Sequence, residues 1–521
     1  DLDGEQTPVT RNTNFFEKGD KPLEIVTSRQ WYIRNGGRDF TRHGATADLK
    51  TELLARGSQL TFHPDFMRVR YDNWVGGLNG DWLISRQRFF GVAIPVWYPV
   101  LPTGEVDYDS PIVPNEASLP VDPTSQVPAG FTEAQRGVPG GFVGEADVMD
   151  TWATSSLTPL IASGWERDQD LFARVYPMDL RPQAQDIIRT WLFSTVVRSH
   201  LELDGLPWSD AAISGFILDP DRKKMSKSKG NVVTPMSMLE QHSADAVRYW
   251  AASARLGVDA ALDEGMMKIG RRLAIKVLNA SKFVLSFGGG AGSTVSLDPA
   301  AVTHPIDQAM LAALADVVEA ATASYNAYDH TRALEATETF FWTFCDDYVE
   351  LVKSRAYSQG AGALSAQTAL LIALDVLLRL LAPVLPFATE EVWSWWHGGV
   401  AAGDSIHRAA WPTADVLRQA AADSPASLLA DAGNALAVLR KIKSEAKVSM
   451  KTPLLAVNLA VPATARPGVD AAAADLREAA TITGDFTVTE AADGAFDPAL
   501  QGGITASSHT LGEPPAKQPR A

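Results

Sequence analysis

Residues 212–231 read AISGFILDPDRKKMSKSKGN. Ala212 to Leu218 is an apolar run of strand character, and the turn Asp219-Pro220-Asp221 ends it. A strand therefore leads into a loop of lysines and small hydroxyl residues. Ammonium groups on flexible stems can follow a polyphosphate as charge moves onto its leaving oxygens. The serines and Gly230 let the backbone come close to phosphate oxygens. Taken alone, a Lys-rich octamer is more simply a solvated basic run or a localisation signal. Its place behind a strand, at the end of a long α/β stretch, is what favours phosphate chemistry.

Upstream of the loop, from Leu23 to about Gly265, short β-like runs alternate with helical segments. Val92 to Tyr98 (VAIPVWY) and Ile187 to Arg198 are examples of the two. Such alternation predicts a mostly parallel α/β sheet over residues 21–265. A Pro/Gly-rich stretch from Leu101 to Gly144 interrupts it and reads as a surface insertion. Near Met266 the texture changes. Ile269, Leu273, Val277, Ala280 and Val284 recur at helical spacing, and three further helical stretches follow, at about Ile306 to Ala327, Arg332 to Ala356 and Leu364 to Leu385. Residues 266–412 are thus expected to form an all-α bundle. Over 413–511 a helix, the strand Leu454 to Val461, a helix at about Val469 to Ala479 and the strand Phe486 to Thr489 predict a small α/β module. Residues 512–521 are Pro-rich and charged, and read as a disordered tail.

Composition narrows the class. The chain has 521 residues, 46% hydrophobic and 21% charged, enough for roughly three or four domains. The most apolar stretch, around Leu370 to Phe387, carries Asp375 and Arg379 and reads as a core helix, so no membrane is expected. Cys345 is the only cysteine, which excludes an internal disulfide and a thiolate-rich zinc site and fits a reducing cytoplasm. A net charge of −16 argues against non-specific polyanion binding, so any nucleic-acid contact must be confined to patches. The first residues are polar and lack an initiator Met, which points to an incomplete chain.

Lys224-Met225-Ser226-Lys227-Ser228 resembles the second signature of the class I aminoacyl-tRNA synthetases, and the likeness extends far beyond it. Asn73-Trp74, Asp81-Trp82-Leu83-Ile84-Ser85-Arg86-Gln87-Arg88 and Ile94-Pro95-Val96-Trp97-Tyr98 resemble a block shared by valyl and isoleucyl enzymes. Asp147-Val148-Met149-Asp150-Thr151-Trp152 is similar to the valyl form of the next block. Ser243-Ala244-Asp245-Ala246-Val247-Arg248-Tyr249, Phe344-Cys345-Asp346-Asp347-Tyr348 and Leu381-Ala382-Pro383-Val384-Leu385-Pro386-Phe387-Ala388-Thr389-Glu390-Glu391 fit the same family. The resemblance implies part of a Rossmann-like catalytic domain over 21–265, an anticodon-binding bundle over 266–412 and a small C-terminal module. Residues 1–20 would be the remnant of an editing or connecting region.

That family joins an amino acid to tRNA in two steps, and the valyl branch implies valine, ATP with Mg2+ as substrate, and tRNA(Val). Lys224 and above all Lys227 would neutralise the moving phosphate charge. Met225, Ser226 and Ser228 would line the nucleotide with them, and Asp186 would approach the ribose. Trp152 falls at a wall of the amino-acid pocket. Phe90 falls at a second wall usually held by Trp, and Val148, four residues before Trp152, joins them if that segment is helical. Ordinary core packing is the alternative for each of these side chains, and a helix start is the alternative for Asp186. Asp147 and Asp150 read as structural rather than as an acid–base pair. The bundle cations Arg271, Arg272, Lys353 and Arg355 could meet phosphates, with no assignment made.

None of the nine histidines stands in a His-x-Gly-His arrangement, the family's first signature. The chain by itself is therefore expected neither to activate valine nor to edit. Two other readings stand beside valine–tRNA ligase: an isoleucyl-type ligase, and a non-catalytic tRNA-binding derivative.

Overall fold

The computed structural model describes residues 8, 10, 12–15, 21–23, 27–34, 40–42, 45–78, 80–225, 230–288, 297–398, 403–491 and 501–514. By compactness the chain divides into two units, Asp1–Ile213 and Ser214–Ala521. Residues 515–521 of the expected tail and most of residues 1–20 lie outside the described residues, as do Ser226, Lys227 and Ser228.

In the first unit, α1 (Leu49–Gln59) is capped by Asp48, whose carboxylate accepts from Lys50 N at 3.2 Å and Thr51 Oγ1 at 2.6 Å. It leads into β1 (Thr61–His63) and α2 (Arg68–Gly76). Gly57 is required where these helices meet, because any Cβ there would strike the Tyr71 ring. The Tyr71 hydroxyl donates back to Leu53 O at 2.9 Å. β2 (Met178–Ala184) and β3 (Trp208–Ser214) complete a three-stranded sheet in the order β2-β3-β1, with β3 parallel to β1 and Ala211 opposite Phe62. Between them runs a helical stretch of three kinds: a 3-10 turn (Gln185–Ile187), a π-turn (Ile188–Leu192) and α3 (Phe193–Leu203). Leu53, Phe62, Tyr71, Ile188, Phe193, Val197 and Trp208 share one core. His200 ties α3 to α1, with Nε2 at 2.6 Å from Glu52 and Nδ1 accepting from Arg56 Nε at 3.1 Å.

Of the stretch 101–144, residues 101–141 hold only turns, short 3-10 segments and isolated bridges, while Phe142–Gly144 is a strand paired with Trp97–Pro99. The Val92 to Tyr98 run is mostly not strand: a ladder forms only at Trp97–Pro99, with an isolated bridge at Ala93. Pro95 explains the gap, since it cannot donate to a ladder.

The second unit is dominated by helices. α4 (Ala244–Ala252) and α5 (Glu264–Gly288) pack together, followed by α6 (Pro305–Asn326), α7 (His330–Thr343) and α8 (Val349–Ala356), the last two joined by a π-turn (Phe344–Tyr348). α9 (Ala361–Leu381) is long and apolar enough to cross a membrane, with a mean hydropathy of 1.8, but 72% of that stretch is buried inside the bundle. α10 (Pro386–His397) and α11 (Ser427–Glu445) complete the helical part. α10 begins with Pro386 and has no side-chain cap of its own; Asp245 of α4 supplies it, accepting from Phe387 N at 3.1 Å and Ala388 N at 2.7 Å. The C-terminal module is a sheet in the order β5 (Ile482–Glu490), β4 (Leu454–Val461), β6 (Thr505–Leu511), with β4 parallel to β5 and antiparallel to β6.

One buried guanidinium joins these parts. Arg355 of α8 makes two bonds to Asp307 of α6, at 2.7 and 2.8 Å, and bonds of 3.0 Å from Nε and Nη2 to Asp475 in the helix Ala473–Ala479. Tyr348 and Ser365 hydroxyls also donate to Asp307. Arg355 is therefore an internal tie, not a phosphate contact. Replacing it with Met leaves two buried carboxylates without their cation, which costs about 3–5 kcal/mol. Urea unfolding followed by circular dichroism should show that loss, and a change below about 1 kcal/mol would contradict the assignment. Burial also pushes the Cys345 thiol up to about 12. Native protein at pH 8 should resist iodoacetamide, and urea-denatured protein should take up one equivalent.

Candidate active site

A cavity of about 380 Å³ opens in the first unit, between α2, the segment Trp82–Arg86, the turn at Asp150 and the start of α3. Trp74, Trp82 and Trp152 line it together with Phe193. Trp74 and Trp82 meet Phe193 edge-on, with centroids 6.2 and 5.9 Å apart, so the aromatic wall is braced from behind. Such a wall excludes water and limits the volume of any side chain that enters.

The polar groups are placed by a short antiparallel pairing of Ser85–Arg86 with Val148–Met149. Directly after it, Asp150 caps the helix Thr151–Ser155, accepting from Trp152 N at 2.8 Å, and its other oxygen receives Arg86 Nη2 at 2.7 Å. One buried carboxylate thus sets both the Trp152 backbone and the Arg86 head. Asp147 accepts from Gln87 Nε2 at 2.6 Å. Both aspartates are structural, as expected. Arg189 enters the cavity from the π-turn, its guanidinium 5.9 Å from the Trp74 ring centre. The cavity therefore offers indole faces, the Asp150–Arg86 pair, a second carboxylate at Asp81, Thr190 and a further guanidinium.

In the second unit, Ile217–Leu218 pairs in parallel with Ala260–Ala261, and Leu218 bridges back to Lys224 across a tight turn. Arg222 in that turn has φ 62°, a left-handed conformation costly for a side chain this large. The Lys224 ammonium lies 4.3 Å from the centre of the Phe216 ring.

Sequence comparison decides the family. The pattern described as "tRNA synthetases class I (I, L, M and V)" matches residues 13–263, and that of the "Anticodon-binding domain of tRNA ligase" matches 307–459. The chain is built of class I tRNA synthetase domains. Among similar synthetases, the valine--tRNA ligase of Thermobifida fusca is 66% identical over 452 residues, 87% of this chain and 50% of that protein. That of Bifidobacterium longum is 56% identical, covering 100% of this chain and 58% of the relative. The chain spans about half the length of the curated relatives it matches. A LeuRS from Agrobacterium radiobacter K84, solved in a ternary complex with tRNA and LeuAMS, superposes with a TM-score of 0.50 at 21% identity, covering 65% of this chain and 43% of its own. That likeness shows the synthetase fold.

Among the residues expected at the site, Trp152 is one of those that line this cavity, and Phe90 and Val148 are not. The Phe90 ring is 91% exposed, in a loop where Phe89 stands out equally far. Val148 is buried on a strand rather than a helix, packed so tightly against Gly91 that no side chain fits there. Four residues on a strand and its following turn do not bring Val148 beside Trp152, so the helical spacing argument fails. Asp186 is exposed in the 3-10 turn that begins the helical stretch, the place a helix-start role predicts. Trp74, Trp82 and Arg86 stand in the quoted blocks, and Arg189 in the helical run Ile187 to Arg198, without an assigned role, although the density of tryptophan around Asn73–Arg88 was a signal for the first three. Asp150→Ala removes both a helix cap and the partner of Arg86, and should destabilise the first unit by about 2 kcal/mol or more. Urea titration of tryptophan fluorescence reads it; an unchanged midpoint would mean that Asp150 does not organise the cavity.

Proposed function

We propose that this chain carries the lysine loop, an amino-acid wall and the anticodon-binding bundle of a valine–tRNA ligase. The observation that carries the reading is identity above half to valine--tRNA ligases over 87% and 100% of the chain. The aromatic cavity supports it, since a small branched side chain is selected by shape and dryness rather than by hydrogen bonds.

In the proposed reaction the valine carboxylate attacks the α-phosphorus of ATP in line, and pyrophosphate leaves with its Mg2+. A terminal hydroxyl of tRNA(Val) then attacks the valyl carbonyl, gives up its proton and releases AMP. Neither step needs a strong protein base, so rate comes from positioning and from charge placed where negative charge develops. Lys227 and Lys224 supply that charge to the β- and γ-phosphates, with Met225, Ser226 and Ser228 carrying the loop backbone around them. Asp186 serves the ribose, and Trp152 forms the wall facing the valine methyls. The reducing cytoplasm is the expected compartment.

Valine-dependent ATP–pyrophosphate exchange tests the reading. The chain alone should show none, and a fusion to the N-terminal part of the Thermobifida fusca relative should show it, with valine preferred over isoleucine. Lys227→Ala in the fusion should lower kcat about 10²–10³-fold with the KM for valine little changed. An active fusion insensitive to that substitution would remove the chemical basis of the assignment.

A further inference from the structure

The base of the lysine loop is fastened more closely than a surface turn requires. Gly215 lies against the Val258 carbonyl so tightly that a side chain would collide with backbone, and Phe216 N donates to Asp259 Oδ1 at 2.7 Å. These contacts set the backbone from which the half-buried Phe216 ring projects. Asp219, only 6% exposed, accepts from Lys223 N at 2.7 Å with one oxygen and from Asn231 Nδ2 at 2.8 Å with the other. The same amide nitrogen reaches Lys224 O at 3.3 Å. Both stems of the loop, 219–225 and 230–231, are therefore tied to one carboxylate. The Asn231 amide first, and the Lys223 N–H after it, hold the Asp219 carboxyl below the usual carboxylate range, so both bonds are charge-assisted at neutral pH.

We propose that Asp219, Asn231 and Phe216 are positioning residues of the lysine loop: the Asp219–Asn231 staple fixes where the loop begins and ends, and the Phe216 ring holds the Lys224 ammonium in a standby position from which a polyphosphate draws it. The inference rests on the ligase reading above. Two holds of unequal strength suit that task. A cation–π contact at an exposed site biases a population only about two- to fivefold, so an arriving polyphosphate takes the ammonium easily. The staple, with two charge-assisted bonds to a buried carboxylate, stays closed while the ammonium moves. Without it the stems would splay, and the lysines would be spread over positions from which few reach the phosphates.

The dock can be read on the chain as it stands. Acetylation of Lys224 by limiting acetic anhydride, measured by mass spectrometry against Lys353, should quicken about two- to fivefold in Phe216→Leu and slow in Phe216→Trp. Equal rates in all three proteins overturn the dock. The consequence for catalysis is read in the fusion described above. Asn231→Ala and Asp219→Asn should lower the kcat of exchange about 10- to 100-fold with the KM for valine unchanged, and the two Phe216 variants should move the KM for ATP in opposite directions. Parallel losses in all four variants, as a merely structural role would give, overturn the inference and leave the ligase reading intact. A fusion without valine-dependent exchange before any substitution overturns that reading, and this inference with it.

Discussion

Arg355 is the point on which the second unit turns. Its five N–H donors are all engaged, by Asp307, Asp475 and the Gly362 carbonyl, within the helical core. A guanidinium has a fixed fork geometry, so those acceptors must arrive from three directions at once. α6 brings the first, the helix Ala473–Ala479 the second and the start of α9 the third. A buried cluster of this kind adds little net stability over an apolar filling of the same volume, whereas a misplaced partner leaves an unpaired charge in the interior. Its effect is therefore selective: of all the ways to pack these helices, few satisfy Arg355. The C-terminal module is held against the bundle by the same atoms that hold the bundle together.

Asp245 works on the same principle at smaller scale. Helix α10 begins at a proline and so cannot use its first N–H; the next two are met by a carboxylate from α4, and Arg248 of the same helix donates to Pro383 O at 2.7 Å. Two of the sequence blocks that carry the family resemblance, around Asp245 and around Pro386, are thus the two halves of one joint. Neither shows this alone, because a helix cap supplied from 142 residues away leaves no local signature.

What the sequence discloses follows from the range of the interaction. Helices α5, α6 and α9 and strand β4 were legible because one face of each is buried, and burial writes a period into the residues. β6 (TASSHTL) was not, since its middle residues are polar and exposed and no apolar alternation runs along it. The π-turns at Ile188–Leu192 and Phe344–Tyr348 add a residue to the turn without disturbing the apolar pattern, so they read as plain helix. Trp152 was legible from its block. Its cavity was not, because it is assembled from 74–86, 150–152 and 189–193, three stretches that only tertiary contact brings together. Phe90 and Val148 lie outside that lining, and their spacing to Trp152 along the chain says nothing about where a strand and a loop point them.

The distribution of charge around the site has a physical logic. Asp150, Asp219 and Asp245 all stand in or beside the blocks that suggest chemistry, and each accepts backbone N–H groups at the start of a segment. A carboxylate is suited to this because it takes several donors at once and gains from their partial positive charge. Once so engaged, it is a poor proton carrier, since protonation would forfeit those bonds. The cations are arranged in the opposite way. Lys224 rests on a ring face and Arg189 lies near another, contacts that orient a charge without neutralising it. The division leaves these anionic side chains spent on architecture and these cationic ones on ring faces.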